Sequence, residues 1–260
     1  MVHSKNSFWQ PLLVVLLVLW LTGCVTTRTK PTAREPEAPV NEALLKAADN
    51  HAGLIQLYKT RLQQAKTEED NKKYRLLLGT AYLNTNDPDS TLFILEPLLG
   101  DQQKDAEVWL LKSQAKLTMG MAEESLKDAN TALLYSANDP TILNQQGVAY
   151  AAMGKYSDAR KSINKARETM FDDLVIKNNL AMLDILEQKY DAAIQRLMPL
   201  YTSGQADEKI KSNLIIALVR AGLYNEFKTV YTGGKSEQER MSLFIAISSA
   251  KFQPQLSGSH

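Results

Sequence analysis

Residues 154–159 read GKYSDA and residues 188–193 read QKYDAA, and the step of 34 residues between them decides how the rest of the chain is read. The same step carries Gly120 to Gly154, Gln188 and Gly222, and Tyr156 to Tyr190 and Tyr224. It joins Gly79, Ser113, Gly147 and Ala181, four small residues in succession, and also Ser125, Ala159 and Ala193. One period held across independent columns marks a structural repeat, in which each unit buries its apolar face only against its neighbours.

After residue 40 leucine and alanine are abundant, Gly and Pro are sparse, and no alternating β-branched stretch is long enough for a sheet. The units are therefore helical. A small residue in mid-helix lets a second helix cross closely, and an aromatic one turn later, Tyr82 or Tyr150, fills the space beside it. The turn between two helices needs a residue that tolerates positive φ, which Gly120, Gly154 and Gly222 supply and Asn86 can match. Gln188 departs from that column and leaves its turn less well specified. Ala159 and Ala193 stand where only a small side chain packs, with Ile163 and Leu197 on the same face four residues on. These tyrosines are packing residues.

The period and its columns resemble the tetratricopeptide repeat. That resemblance implies an all-α fold, a right-handed superhelical solenoid occupying residues 41–252. Five repeats are expected from near Lys72, Ala106, Pro140, Leu174 and Glu208, running to about residue 240. A divergent helical pair over roughly Glu42 to Lys66 should precede them, and MSLFIAISSAKF (241–252) should close the array, leaving 253–260 as a tail.

Ahead of the repeats, PLLVVLLVLWLTG (11–23) is the only long apolar run, and it stops at Cys24, the only cysteine of 260 residues. About a dozen apolar residues behind a short, weakly basic leader make a signal-peptide core, too short for a spanning helix of ~20 residues. A single Cys forms no intramolecular disulfide, and with three His in the chain it heads no metal cluster. Leu-Thr-Gly-Cys (21–24) resembles the bacterial lipobox. The resemblance implies removal of residues 1–23 and lipidation of Cys24 as the first mature residue. Each buried acyl methylene contributes about 0.8 kcal/mol, so several chains hold the terminus firmly to a membrane. Val25, where an Asp would stand for inner-membrane retention, points by the same resemblance to the outer membrane, with the fold facing the periplasm. Ordinary secretory cleavage beside an incidental cysteine, or an uncleaved anchor, are the other readings. Residues 24–40, rich in Thr, Glu, Lys and Arg and broken by Pro31, Pro36 and Pro39, read as a disordered tether.

No catalytic site, cofactor site, metal site or small-molecule substrate is expected. GGKS (233–236) ends like a phosphate-binding loop, but the required earlier Gly is Thr229 and a helix rather than a strand precedes it. His51, beside Ala52 and Gly53, is expected exposed at a turn. The acidic runs Glu68-Glu69-Asp70 and Asp172-Asp173 fall at repeat boundaries, as helix-start residues would. A formal net charge of +1 gives no reason to invoke nucleic acid.

In tetratricopeptide arrays the first helix of each repeat lines a concave face. Transferred by register, its inward positions in the last three repeats are Asn144, Asn178 and Ser212, then Val148, Met182 and Ile216, then Ala151, Ile185 and Val219. This reads as an apolar floor edged by a polar row, suited to an amphipathic helix or an extended peptide. The competing reading has the floor covered by the chain's own 241–252 helix or N-terminal segment. Of the basic residues that clamp acidic chaperone tails, only Lys73 and Lys209 stand at inward positions, so such tails are not the expected ligand.

The segment NNLAMLDILEQKYDAAIQRLMPLY (178–201), with its N-N-L-A opening and L-x-P-L close, resembles the TadD lipoproteins of the Tad (tight adherence) pilus machinery. That resemblance implies a pilotin-like assembly factor, whose protein partner is the pilus secretin or another pilus assembly protein. A type IV pilus pilotin and the lipoprotein of the outer-membrane barrel-assembly machine are the nearest alternatives. An activator of a cell-wall enzyme is the alternative of another class.

Overall fold

A computed structural model describes residues 41–100, 104–169, 172–234 and 236–250. Cys24, the expected signal peptide and tether, and the tail beyond residue 250 lie outside the described residues. The helices are α1 (Glu42–Ala47), α2 (His51–Gln64), α3 (Glu68–Asn84), α4 (Pro88–Leu95), α5 (Ala106–Thr118), α6 (Ala122–Tyr135) and α7 (Pro140–Ala152). They continue with α8 (Tyr156–Glu168), α9 (Asp173–Leu186), α10 (Tyr190–Thr202), α11 (Glu208–Arg220), α12 (Tyr224–Val230) and α13 (Glu237–Ser249). No strand occurs among the described residues. From α3 onward the helices form hairpins, α3/α4 to α11/α12, each packed on the next.

In the second to fifth hairpins the two helices start by different means, whereas in the first both carry a side-chain cap, Thr67 and Asp87. First helices are capped by aspartate: Asp105, Asp139, Asp172 and Asp207 accept from the backbone N–H groups of Glu107, Thr141, Leu174 and Ile210 at 2.9, 2.8, 2.8 and 2.7 Å. Each carboxylate satisfies a first-turn donor that has no helical partner and sits at the positive end of the helix dipole. The second helices α6, α8, α10 and α12 have no side-chain cap. They follow a backbone turn repeated in register. Asp87, Met121, Lys155, Lys189 and Leu223 donate N–H to the carbonyls of Tyr82, Lys116, Tyr150, Asp184 and Leu218 at 2.7 to 3.0 Å. That closure puts the residue before each donor at positive φ: Asn86 at 58°, Gly120 at 77°, Gly154 at 72°, Gln188 at 60° and Gly222 at 77°.

The small columns meet where paired helices cross. Thr91, Ser125, Ala159 and Ala193 are fully buried, and so are Ser113 and Ala181 opposite them. A Cβ placed on Gly147 would lie 2.5 Å from Ile163 Cγ1 and 3.1 Å from the Ala159 carbonyl oxygen, so a larger residue there would have to displace Ile163 and press on the α8 backbone. Four apolar clusters then follow the chain. Leu54, Tyr58 and Leu78 begin the series, Leu76, Leu95 and Val108 follow, Ile163, Ile176 and Leu183 form the third, and Leu197, Leu214 and Phe227 the last.

Two boundaries differ from the sequence expectation. The first repeat's opening helix begins at Glu68, a turn before Lys72, because the Thr67 side chain accepts from Asp70 N–H at 3.0 Å and caps it there. The closing helix begins at Glu237, not 241, because Ser236 accepts from Glu239 N–H at 3.1 Å. Ser236 of the GGKS stretch is therefore a helix cap; Lys235 is outside the described residues.

Candidate partner-binding surface

On α7 and α9 the expected polar row is engaged within the protein. Asn144 is fully buried and accepts, through Oδ1, a 2.8 Å hydrogen bond from Asn179 Nδ2 in the next repeat. Asn178 is 5% exposed and accepts the equivalent bond from Asn213 Nδ2, also 2.8 Å. The expectation that Asn144 and Asn178 edge an open floor as a polar row for a ligand is corrected: they recur because the joints between the third and fourth and between the fourth and fifth repeats are each closed by an amide pair. Ser212, third in the row, is exposed and turns its hydroxyl back onto the Glu208 carbonyl at 2.7 Å. Asn144 Nδ2 is buried and has no acceptor among the described residues.

The expected floor divides. Ile185 and Val219 belong to the apolar cluster that joins α9 to α12, so they are core residues and not an open surface. Ala151 packs in the preceding cluster in the same way. Val148 and Met182 are buried at 1% and 6% exposure, yet they belong to neither of those clusters. Ile216 is half-buried and packs at the edge of the last one. Ser212 and Ile216 are therefore the accessible members of the row and floor. The closing helix α13 packs on α11 and α12, and Arg220 donates to the Ser248 carbonyl at 3.1 Å and to that of Ala250.

Residues that sequence reasoning passed over hold the joints. Between the second and third repeats, Gln145 Nε2 donates to Ser113 Oγ at 3.1 Å, and that hydroxyl donates to the Ser125 carbonyl at 2.8 Å. Between the third and fourth, buried Asp184 accepts from Arg160 Nη2 at 2.9 Å and from Arg196 Nε at 3.0 Å, while Arg160 also reaches Glu187. Burial would raise the Glu187 carboxyl, but hydrogen bonds from Arg160 and Lys189 hold it below its ordinary value. Inside the second repeat rather than at a joint, buried Asp128 is ion-paired to Lys116 at 2.9 Å and Lys112 at 3.6 Å. The signal was present for the amides: Gln145, Asn179 and Asn213 are themselves 34 residues apart.

His51 departs from its expected exposure. It opens α2 half-buried, with Nδ1 buried and unpartnered among the described residues. No group of three or more His, Cys, Asp or Glu is placed to hold a metal among the described residues, and no described helix is long and apolar enough to cross a membrane.

Among solved structures, a tetratricopeptide repeat protein from Parabacteroides merdae ATCC 43184 superposes with a TM-score of 0.57 at 16% identity, over 79% of this chain and 82% of that one. The fold is a tetratricopeptide-repeat solenoid. MamA is more distant, with a TM-score of 0.45 at 15% identity over 61% of this chain and 92% of its own. No family model matches the chain, and no curated protein does.

Proposed function

We propose that this chain is an outer-membrane lipoprotein acting as a pilotin-like pilus assembly factor, and that its solenoid binds the pilus secretin or another assembly protein. The observation that carries the reading is a juxtaposition: Leu-Thr-Gly-Cys at 21–24 ends an apolar leader, and a short proline-rich stretch later the helical repeats begin. Such a repeat stack presents equivalent positions of successive first helices side by side, which suits an elongated protein ligand. The N-N-L-A segment at 178–181 supports the pilus assignment over the other lipoprotein alternatives.

The partner face in this reading is the first-helix surface of the third to fifth repeats. Contact begins at Ser212 and Ile216 and reaches Met182 and Val148 only with a rearrangement of that surface. Asn144 Nδ2, short of an acceptor, would then meet a ligand carbonyl, since a buried unpaired donor costs ~1–3 kcal/mol.

Two measurements test it. Cys24→Ser should leave a precursor that fails to fractionate with the outer membrane; normal fractionation would remove the lipid anchor from the account. Ser212→Arg, at an exposed position, should keep the melting temperature and lower capture of the purified periplasmic secretin domain. Undiminished capture would move the partner site elsewhere on the solenoid.

A further inference from the structure

Helices α8 and α10, the second helices of the third and fourth repeats, flank a cleft of about 370 Å³ to which α9 also contributes. Buried Ile176, Leu180 and Leu200 lie at its base, and half-buried Ala192 and exposed Pro199 give it an accessible apolar lining. Three cations stand around them, one from each helix, Arg167, Lys177 and Arg196, against one carboxylate, Asp173. That carboxylate is already taken by Lys177 Nζ at 2.6 Å. Arg196 gives Nε to buried Asp184 at 3.0 Å, which fixes its guanidinium while the terminal nitrogens remain for another acceptor. Arg167 is exposed and has no ion-pair partner among the described residues.

The lining thus combines surplus donors with an apolar bottom. A guanidinium matches the planar geometry of a carboxylate, and two converging on one site offer charge-assisted bonds of about twice the ordinary strength. The volume is at the small end of the range for ligand pockets, ~300–1,000 Å³, enough for a few side chains. We propose that this cleft is a second binding site, taking an acidic segment of a protein partner. A Glu or Asp carboxylate lies on Arg167 and Arg196, and an adjoining apolar side chain lies on Ala192 and Pro199. The site uses none of the residues of the surface assigned above and stands or falls separately from it.

The test is fluorescence anisotropy on the full chain in detergent with a fluorescein-labelled peptide EELEL. Saturable binding is expected, weakened about tenfold by the isosteric peptide QQLQL and by Arg167→Glu. The melting temperature should not move, because Arg167 is exposed and has no ion-pair partner among the described residues; if it does move, Arg167→Gln is the variant to read. Equal binding of QQLQL, unchanged affinity in the Arg167 variants, or no saturable binding would overturn the proposal. So would displacement of EELEL by inorganic phosphate or by anionic vesicles as effective as displacement by unlabelled EELEL, since the site would then take anions in general.

Discussion

Asn179 donates Nδ2 to Asn144 Oδ1 at 2.8 Å, and one repeat later Asn213 does the same for Asn178 at the same distance. Two successive joints are thus closed by one bond in one geometry. Asn178→Ala strands the buried Asn213 donor and should cost ~1–3 kcal/mol in urea unfolding. The double variant with Asn213→Ala should lose less than the two single changes added together. Additive losses would mean the amides do not pair.

Gln188 is the one residue of the fourth repeat's turn that carries a side chain at positive φ, 60°, where three of the equivalent turns use glycine. The left-handed region costs a non-glycine residue about 1–2 kcal/mol. Gln188→Gly should therefore raise the melting temperature, with part of the gain offset by the extra freedom of glycine in the unfolded chain. Gly154→Gln, the reverse change one repeat earlier, should lower it. A drop for both would show that Gln188 makes a contact that outweighs its backbone strain.

Ala159 is fully buried against Gly147 at the crossing of α7 and α8. Ala159→Leu should destabilise by ~1–3 kcal/mol, because added methylenes force neighbours off their rotamers. Gly147→Ala should also destabilise, since its Cβ would press on the Ala159 carbonyl as well as on the movable Ile163 side chain. Tyr190, by contrast, is only half-buried, so Tyr190→Ala should fall below the ~3–5 kcal/mol typical of buried aromatics. Thermal and denaturant melts of the three variants give the order directly.

Glu42 anchors α1 to α2. It pairs with Lys46 at 2.9 Å, accepts from Tyr58 Oη at 2.9 Å and meets Arg61. The bond from Lys46 first, then those from Tyr58 and Arg61 against the opposing effect of burial, lower its pKa from 4.5 to about 2. A depressed carboxylate stabilises the folded state fully above its unfolded value and loses that contribution as pH falls through its folded one. Docking of α1 should therefore weaken between pH 4.5 and 2, and Glu42→Gln should remove that dependence. Hydrogen exchange of α1 amides across this window is the measurement; identical profiles for both proteins would refute the anchoring role.

What the sequence disclosed follows from what each column does. Gly120, Gly154 and Gly222 were legible because a turn at positive φ leaves few choices, and the small column at Gly79, Ser113, Gly147 and Ala181 because close helix crossing leaves few sizes. Asn144 and Asn178 were legible as a recurrence but not as a joint. An amide serves equally to hold a ligand backbone or a neighbouring amide, and its partners, Asn179 and Asn213, stand in the adjoining column, one residue out of register. The charged cluster at Asp184 was hidden for another reason. Its column holds Tyr82, Lys116, Tyr150 and Leu218, so no repetition points to the carboxylate that Arg160 and Arg196 share.

Not every joint is alike, and this removes part of the freedom that the regular period suggests. Excising residues 140–173 would preserve the 34-residue spacing and the turn of every remaining repeat. Yet the Asn179 amide would then come up against Leu110 in place of Asn144, and Asp184 would lose Arg160 altogether. The third repeat is thus keyed to both of its neighbours. The units look interchangeable in outline, but the place of the third is written into hydrogen bonds on both of its sides, and a copy of this chain without it would spell the same rhythm and leave that joint unclosed.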